Sequence, residues 1–374
     1  MIIKFPKIIE ENEFVKLVVD FNYADCTTEI WYQVSSEYRH WLLPDRADAF
    51  VVGLLLQAMA IGEDIQIEAP ISSKLYHSLK EFYIPMMAAA FPNLKKIKLH
   101  PAGLIVSNTG ASGVATGFSG GIDSFATVVQ HWQKEEYADH KISHFLFHNV
   151  GSHSTGNADA ARRLFHQRYN TLKPFASYAQ IPFIPVDSNI SEIFPIDFIR
   201  MHSTLNASVL LALQGGFKRY YYASAYKYAD CGVCKNDGIG RMDPISFHLL
   251  STEQLDCVST GCQMSRVEKT QLVAGFEPSR HHLNVCVDPA FAGQNCSVCF
   301  KCCRTIMTLE LLGFVKDYSE VFDLAKYSKV RRKYLLKCLR YKKGSYESEI
   351  ADLIQTNGSG WERLAFGLRH CLLN

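Results

Sequence analysis

Val114-Ala115-Thr116-Gly117-Phe118-Ser119-Gly120-Gly121-Ile122-Asp123-Ser124 is the stretch that decides how this chain is read. An apolar, β-like run enters it, two glycines and two serines turn it, and a helix-like segment, 122–134, leaves it. At a strand-to-helix junction the first helical N–H groups have no partner within the helix, and glycines let a bulky anion reach the backbone without Cβ interference. Ser119 and Ser124 add hydroxyl donors, and Asp123 adds one carboxylate able to hold Mg2+. The Walker pattern G-x-x-x-x-G-K-[ST] is absent, so the anion's charge is expected to be met by N–H dipoles and a divalent ion rather than by a P-loop lysine. The ligand this combination suits is a polyphosphate, ATP first of all. Its expected contacts are Ser119, Gly120, Gly121, Ile122, Asp123 and Ser124, with Asp123, Ser119 and Ser124 as the candidate catalytic groups. A rival pattern overlaps: Gly117-Phe118-Ser119-Gly120-Gly121 also fits the G-x-S-x-G nucleophile elbow of serine hydrolases, although that reading leaves Asp123 and Ser124 unexplained.

Downstream the order is strand, helix, strand: Val114–Phe118, helix 122–134, Ile142–His148, helix 157–176, Pro182–Val186, helix 204–214, Arg219–Ala223. Such alternation predicts an α/β fold with a parallel twisted sheet and helices on both faces, and in such sheets ligands sit at the carboxyl ends of the strands. His148-Asn149, Asp187-Ser188-Asn189 and Ser224 fall there; His148 and Ser224 are the leading additional nucleotide contacts. Upstream, residues 1–110 mix β-like runs (Phe14–Phe21, Thr28–Val34, Ile65–Glu68, Lys95–Leu99) with helical stretches near 49–61 and 72–91. They read as a smaller α+β domain without a chemical motif, ahead of a nucleotide domain over 111–314 and a basic helical extension over 315–374.

Cys286 is followed by Cys296-Ser-Val-Cys299-Phe-Lys-Cys302-Cys303, the pattern C-x9-C-x2-C-x2-C. Thiolates two residues apart converge on one ion, and four sulfurs close a tetrahedral Zn2+ site with no open position. Cys286, Cys296, Cys299 and Cys302 are therefore expected to hold a structural zinc. Cys303 is the alternative last ligand, and the x2 spacing favours Cys302. Cys231-Gly-Val-Cys234 is a second CxxC, equally readable as a turn with two incidental thiols.

Ser119 to Ser124 matches SGGxDS, the PP-loop of the ATP pyrophosphatase family, and with the cysteine knuckle and Arg304-Thr305 behind it the region 114–314 resembles the 7-cyano-7-deazaguanine synthases within that family. The resemblance implies an adenine nucleotide alpha hydrolase-like fold, ATP cleaved to AMP and pyrophosphate, and adenylation of a carboxylate that ammonia or an amine then attacks. A deazaguanine-type acid is the implied substrate, and the implied product is an amide or nitrile. Relatives also occur in bacterial antiphage loci, which keeps a modified acceptor, even a protein, open. Two other classes stand beside this ligase reading. One is a sulfurtransferase acting on tRNA or a small molecule through Cys231, Cys234, Cys257 or Cys262; the other is a non-catalytic adenine-nucleotide-binding module. For Arg266, Lys269 and Arg304 a solvated helix face is the plainer reading than a phosphate clamp.

Composition is that of an ordinary globular chain: 374 residues, 48% hydrophobic, 20% charged, net charge +2. No signal-peptide pattern opens it, and its longest apolar run, Ala49 to Ile61, is too short for a membrane span, so a cytoplasmic protein with no membrane contact is expected. Its positive charge gathers in 326–343, where Lys326, Lys329, Arg331, Arg332, Lys333, Lys337, Arg340, Lys342 and Lys343 are joined by no acidic residue. Either acids elsewhere balance this helix, or it meets an anionic partner: tRNA, a charged acceptor protein or the second subunit of a homodimer.

Overall fold

The structure, a computed structural model, describes the chain except residues 24–25, 154–155, 195–196, 234–237, 292, 342–343 and 374 and the side chains of 368–373. Among the described residues eleven strands form one sheet: β1 (Ile2–Ile3), β2 (Lys7–Glu11), β3 (Phe14–Tyr23), β4 (Cys26–Ser35), β5 (Ile65–Ser72), β6 (Leu99–Ile105), β7 (Gly113–Gly117), β8 (His144–Asn149), β9 (Phe183–Ser188), β10 (Phe217–Ala223) and β11 (Asp256–Thr260). Their order is β11-β10-β7-β8-β9-β4-β3-β1-β5-β6, with β2 paired to the outside of this path on β3. From β11 to β9 every pairing is parallel. Chain order reverses direction between β7 and β10, so the end of β7 is a topological switch point, where a crevice opens between diverging connections.

Period-two alternation in the strands feeds both faces. On β8, Leu146 faces one core while Phe145 and Phe147 face the other; on β10, Tyr220 and Tyr221 divide the same way. The first core is covered by α1 (Asp48–Ile61), and the second by α2 (Ile122–Val128, continued by a π-turn to Gln133) and α3 (Ala158–Ala179). There Phe118 lies 4.9 Å from both Phe145 and Phe175, ring centre to ring centre, and anchors the start of the glycine turn in an aromatic cluster. Then follow α4 (Phe198–Ala212), α5 (Arg266–Ala274), α6 (Phe300–Leu311), α7 (Leu324–Leu339), α8 (Tyr346–Asn357) and α9 (Gly360–Leu373). Among the described residues no helix is long and apolar enough to cross a membrane.

Residues 1–110 do not stand apart from the rest. β4 pairs antiparallel with β9 (Tyr32↔Ser188, Gln33↔Asp187), and one core runs from Ile3 to Cys257. α1 is apolar nearly all round because it is enclosed nearly all round: eleven of its fourteen residues are buried. A Cβ on its Gly53 would sit 2.5 Å from Ile190 Cδ1 and 2.7 Å from the Tyr32 hydroxyl, so glycine is what lets the helix press this close. The strand expected at Lys95–Leu99 lies instead at Leu99–Ile105; as an outer strand with an alternately exposed face it accommodates Pro101 and Gly103, which hide it from propensity.

Candidate functional site

The motif turn is built from two glycines used differently. Gly120 has φ of +72°, a left-handed conformation, and its carbonyl accepts a 2.7 Å hydrogen bond from the Asn284 amide. Gly121 is extended (φ −84°, ψ 173°) and is the N-cap of α2, with no side chain capping the helix, so the first-turn amides are left for another acceptor. Ser119 is exposed; its hydroxyl lies 3.4 Å from that of Ser124, which donates to the Gly121 carbonyl. No histidine is hydrogen-bonded to Ser119 among the described residues, which leaves a nucleophile elbow without its base.

Ser119, Gly121, Ile122, Asp123 and Ser124 line a cleft of about 620 Å3, a size ordinary for a nucleotide-sized ligand. Gly120 turns the chain from behind. Four cations line the same cleft, Arg168, Arg266, Lys301 and Arg304, against one carboxylate, Asp123. Among the described residues only Arg266 of these four has an ion-pair partner: its Nη2 lies 2.7 Å from Asp123 Oδ2. Lys269, 1% exposed, sits 3.3 Å from Asp123 Oδ1 and donates to the Ser224 carbonyl at 2.6 Å. Burial works to raise the Asp123 carboxyl, but the Arg266 and Lys269 charges outweigh it and hold it below its ordinary value. For Arg304 burial first, then Arg266, lowers the guanidinium; for Lys301 burial, then Arg304 and Arg266, lowers the ammonium. The cleft thus holds mutually repelling positive charge that its one described carboxylate, Asp123, offsets only in part.

The solvated-face reading of Arg266, Lys269 and Arg304 is therefore wrong: two helices, α5 and α6, aim them inward. Asp123, expected to hold Mg2+, is the hub of an ion-pair cluster and about a quarter exposed. Ser224 is also displaced from its expected role. It is fully buried and outside the cleft wall, its hydroxyl donating to the Tyr226 carbonyl and its own carbonyl holding Lys269. Asp187, Ser188 and Asn189 instead sew the sheet together: Asp187 accepts from Asn149 and Arg162, Ser188 Oγ donates to the Trp31 carbonyl, and Asn189 bonds the backbone of β4 on both sides.

His148 does line the cleft. Asn206 Nδ2 donates to the His202 carbonyl at 2.6 Å, which leaves Asn206 Oδ1 facing His148 Nδ1 at 2.7 Å. Nδ1 must then carry the proton, and Nε2 is a bare acceptor, buried and without a partner among the described residues. Burial pushes this imidazole down to about 4, so it is neutral around pH 7.

The knuckle borders the cleft through Cys286. The Sγ atoms of Cys286, Cys296, Cys299 and Cys302 all lie within 4.8 Å of one another, with Cys286 to Cys299 and Cys296 to Cys302 at 3.9 Å. A tetrahedron with Zn–S near 2.3 Å needs edges of about 3.8 Å, so the four sulfurs fit zinc with little adjustment. The Val298 and Cys299 amides point at Cys296 Sγ, and a left-handed Ser297 (φ +65°) makes the turn that brings them there. Hydrogen bonding from Cys302 lowers the Cys299 thiol below its ordinary value. Cys303 is not in the set; its sulfur contacts the Val298 carbonyl. Cys299 is also the N-cap of α6, so the knuckle fixes the helix that carries Lys301 and Arg304.

Of the cysteines weighed for sulfur transfer, Cys257 and Cys262 are buried, and burial pushes Cys231 up to about 11 and Cys257 to about 12. None of these three lines the cleft, and Cys234 lies outside the described residues. On α7 and its C-cap Arg340, Arg331 binds Glu310 and Glu362, Lys337 binds Glu347 and Lys326 binds Asp323, while Lys329, Arg332, Lys333 and Arg340 are exposed without an ion pair among the described residues; Lys342 and Lys343 lie outside them. Sequence reasoning missed Arg168, Lys301 and Tyr346, which also line the cleft. Lys301 lies between two knuckle cysteines, where a search outward from the ligands would have found it; Arg168 and Tyr346 carry no local signal.

No protein-family model, curated protein or solved structure matches the chain in comparison. Its fold is α/β, with a large, mostly parallel sheet flanked by helices and consistent with a Rossmann-like arrangement, and its four-cysteine cluster is able to hold a metal such as zinc.

Proposed function

We propose that the chain is a PP-loop enzyme that transfers AMP from ATP to a carboxylate and passes the activated acyl group to a nitrogen nucleophile. One observation carries this reading: the Ser119–Ser124 turn, at the sheet's switch point, opens an uncapped helix start onto a cleft whose cations, among the described residues, exceed its carboxylates by three. ATP with its metal brings about two net negative charges and a carboxylate substrate a third, which matches that excess.

A carboxylate resists attack because its charge repels nucleophiles and oxide is not a viable leaving group. Transfer of AMP removes both obstacles. The chain's task is to set the acid oxygen in line with the α-phosphorus while charge moves onto pyrophosphate. The α2 amides, Ser119, Ser124, Lys301 and Arg304 stand where that charge would be met, and the contribution is electrostatic, with no protein nucleophile. Mg2+, held by Asp123 and phosphate oxygens, would supply further neutralisation of the departing pyrophosphate. Among the described residues Asp123 is the only lining carboxylate, and it is already paired, so the metal must share it with, or win it from, Arg266 and Lys269. Zinc at the knuckle would be structural, since four thiolates leave no open position.

The test is exchange of labelled pyrophosphate into ATP, screened with deazaguanine-type acids and other carboxylates. Exchange that depends on one acid supports adenylation and names the substrate. Exchange with none of them, from protein that still binds ATP, favours the non-catalytic module.

A further inference from the structure

Tyr346 comes from the carboxy-terminal extension, yet it stands in the cleft wall beside Arg266 and Arg304. The Arg304 guanidinium carbon lies 4.2 Å from the centre of its ring and that of Arg266 4.9 Å. Two guanidiniums this near one ring repel each other, and among the described residues only Arg266 is ion-paired with a carboxylate. The ring face, negative by its quadrupole, is what Arg304 has instead. Tyr346 is itself fastened. Its hydroxyl donates to the Ala225 carbonyl at 3.2 Å, just past β10, and its ring stacks on Tyr226 at 5.3 Å with 11° between the planes.

The neighbouring residues are tied down on both sides. Arg241 reaches the Gly344 carbonyl at 3.1 Å while lying over the Tyr226 ring. Glu349, three residues past Tyr346, accepts from the Arg266 amide at 2.7 Å and the Val267 amide at 3.3 Å, which satisfies the opening turn of α5. The segment 344–349 is thus a strap fixed at three points across the carboxyl end of the sheet, and its one side chain in the cleft is an aromatic ring beside two cations.

We propose that Tyr346 is a positioning residue that holds Arg266 and Arg304 side by side, poised for one polyanion, so that the nucleotide site is incomplete without the carboxy-terminal strap. This rests on the ATP-binding reading. A cation held by a ring, rather than by a carboxylate, can turn to a phosphate without first breaking an ion pair, and Arg304 is the free member of the pair.

The test uses the full, zinc-loaded chain and inorganic pyrophosphate as the probe, titrated calorimetrically into the wild type and Tyr346→Phe, Tyr346→Leu and Tyr346→Ala. Phe keeps the ring and should bind within about twofold of the wild type, whereas Leu and Ala lose the ring face and should weaken binding about tenfold or more. Thermal melting of Leu and Phe variants that agree would show that packing alone does not explain the difference. Leu binding like the wild type, or Phe as weak as Ala, would overturn the proposal, the second because it would make the hydroxyl anchor the essential part. Four proteins that bind pyrophosphate equally would overturn it while leaving the nucleotide reading intact. A wild type that binds neither pyrophosphate nor ATP would overturn both.

Discussion

Gly120→Ala and Gly121→Ala, adjacent changes in one motif, should separate folding from binding. At Gly120 the left-handed φ of +72° costs an alanine about 1–2 kcal/mol, and its Cβ would lie 2.5 Å from Leu172 Cδ2. Leu172 is 4% exposed in the second core, so moving it adds an overpacking cost of about 1 kcal/mol or more. The entropy removed from the unfolded chain returns only about 0.4–1 kcal/mol, leaving a net loss near 2 kcal/mol. At Gly121 the backbone is extended and a Cβ would find nothing closer than Ser119 Oγ at 3.6 Å, an ordinary contact. That variant should unfold at the same urea concentration as the wild type or slightly higher. Its methyl group nevertheless stands in the cleft, and ATP affinity should fall about tenfold or more if phosphate approaches the bare backbone there. Urea unfolding and calorimetric ATP titration of both variants decide the matter. A Gly120→Ala protein as stable as the wild type would show that the turn geometry is misread, and a Gly121→Ala protein that binds ATP normally would refute the account of why glycine is there.

Three further outcomes follow from the site. Asp123→Ala should abolish ATP turnover and also lower stability by about 3 kcal/mol, because it strips the ionic partner from Lys269, which is 1% exposed; unfolding as stable as the wild type would mean the cluster contributes nothing to the fold. Stability should peak near pH 6.5. Burial pushes His131, His148 and His202 from 6.5 down to about 4, so between those values the unfolded chain binds protons that the folded chain refuses, and stability is lost as pH falls. Burial pushes Asp243 from 3.8 up to about 8, so the folded chain keeps a proton the unfolded one releases, and stability is lost as pH rises toward 8. Each group contributes about 1.4 kcal/mol per pH unit within its window, and a monotonic rise in unfolding free energy from pH 4.5 to 8.5 would contradict the assignment. The purified chain should carry about one zinc, and Cys299→Ser should lose zinc, melting temperature and pyrophosphate affinity together, because that residue both ligates and caps the helix bearing Lys301 and Arg304. Metal-free protein with unchanged melting would end the zinc assignment.

The parallel half of the sheet was readable because its strands are short apolar runs separated by long amphipathic helices, and the motif marked its switch point. The thiol cluster was readable for a different reason: ligand spacing is local, so four sulfurs near in sequence are near in space. What escaped was whatever depended on distant partners. Nothing in Trp31, Tyr32 or Asn189 announces that β4 and β9 pair, and the first 110 residues therefore looked like a domain of their own. The α5 cations looked solvated because a nine-residue helix with few apolar positions gives little direction, although Ser265 and Glu268 form a capping box that placed its start within reach of sequence reasoning. Tyr346 reaches the site across 121 positions from Ala225, a separation that no local pattern encodes.

The central claim, adenylation of a carboxylate, is tested most directly by following oxygen. An acid found to support pyrophosphate exchange is labelled with 18O in its carboxylate and turned over with ATP and an ammonium salt, and the nucleotide product is weighed by mass spectrometry. AMP carrying one labelled oxygen, with unlabelled pyrophosphate released alongside it, is the predicted result. ADP with label in inorganic phosphate would mean an acyl phosphate formed instead, and AMP without label would mean that water, not the acid, attacked the nucleotide; either contradicts the claim.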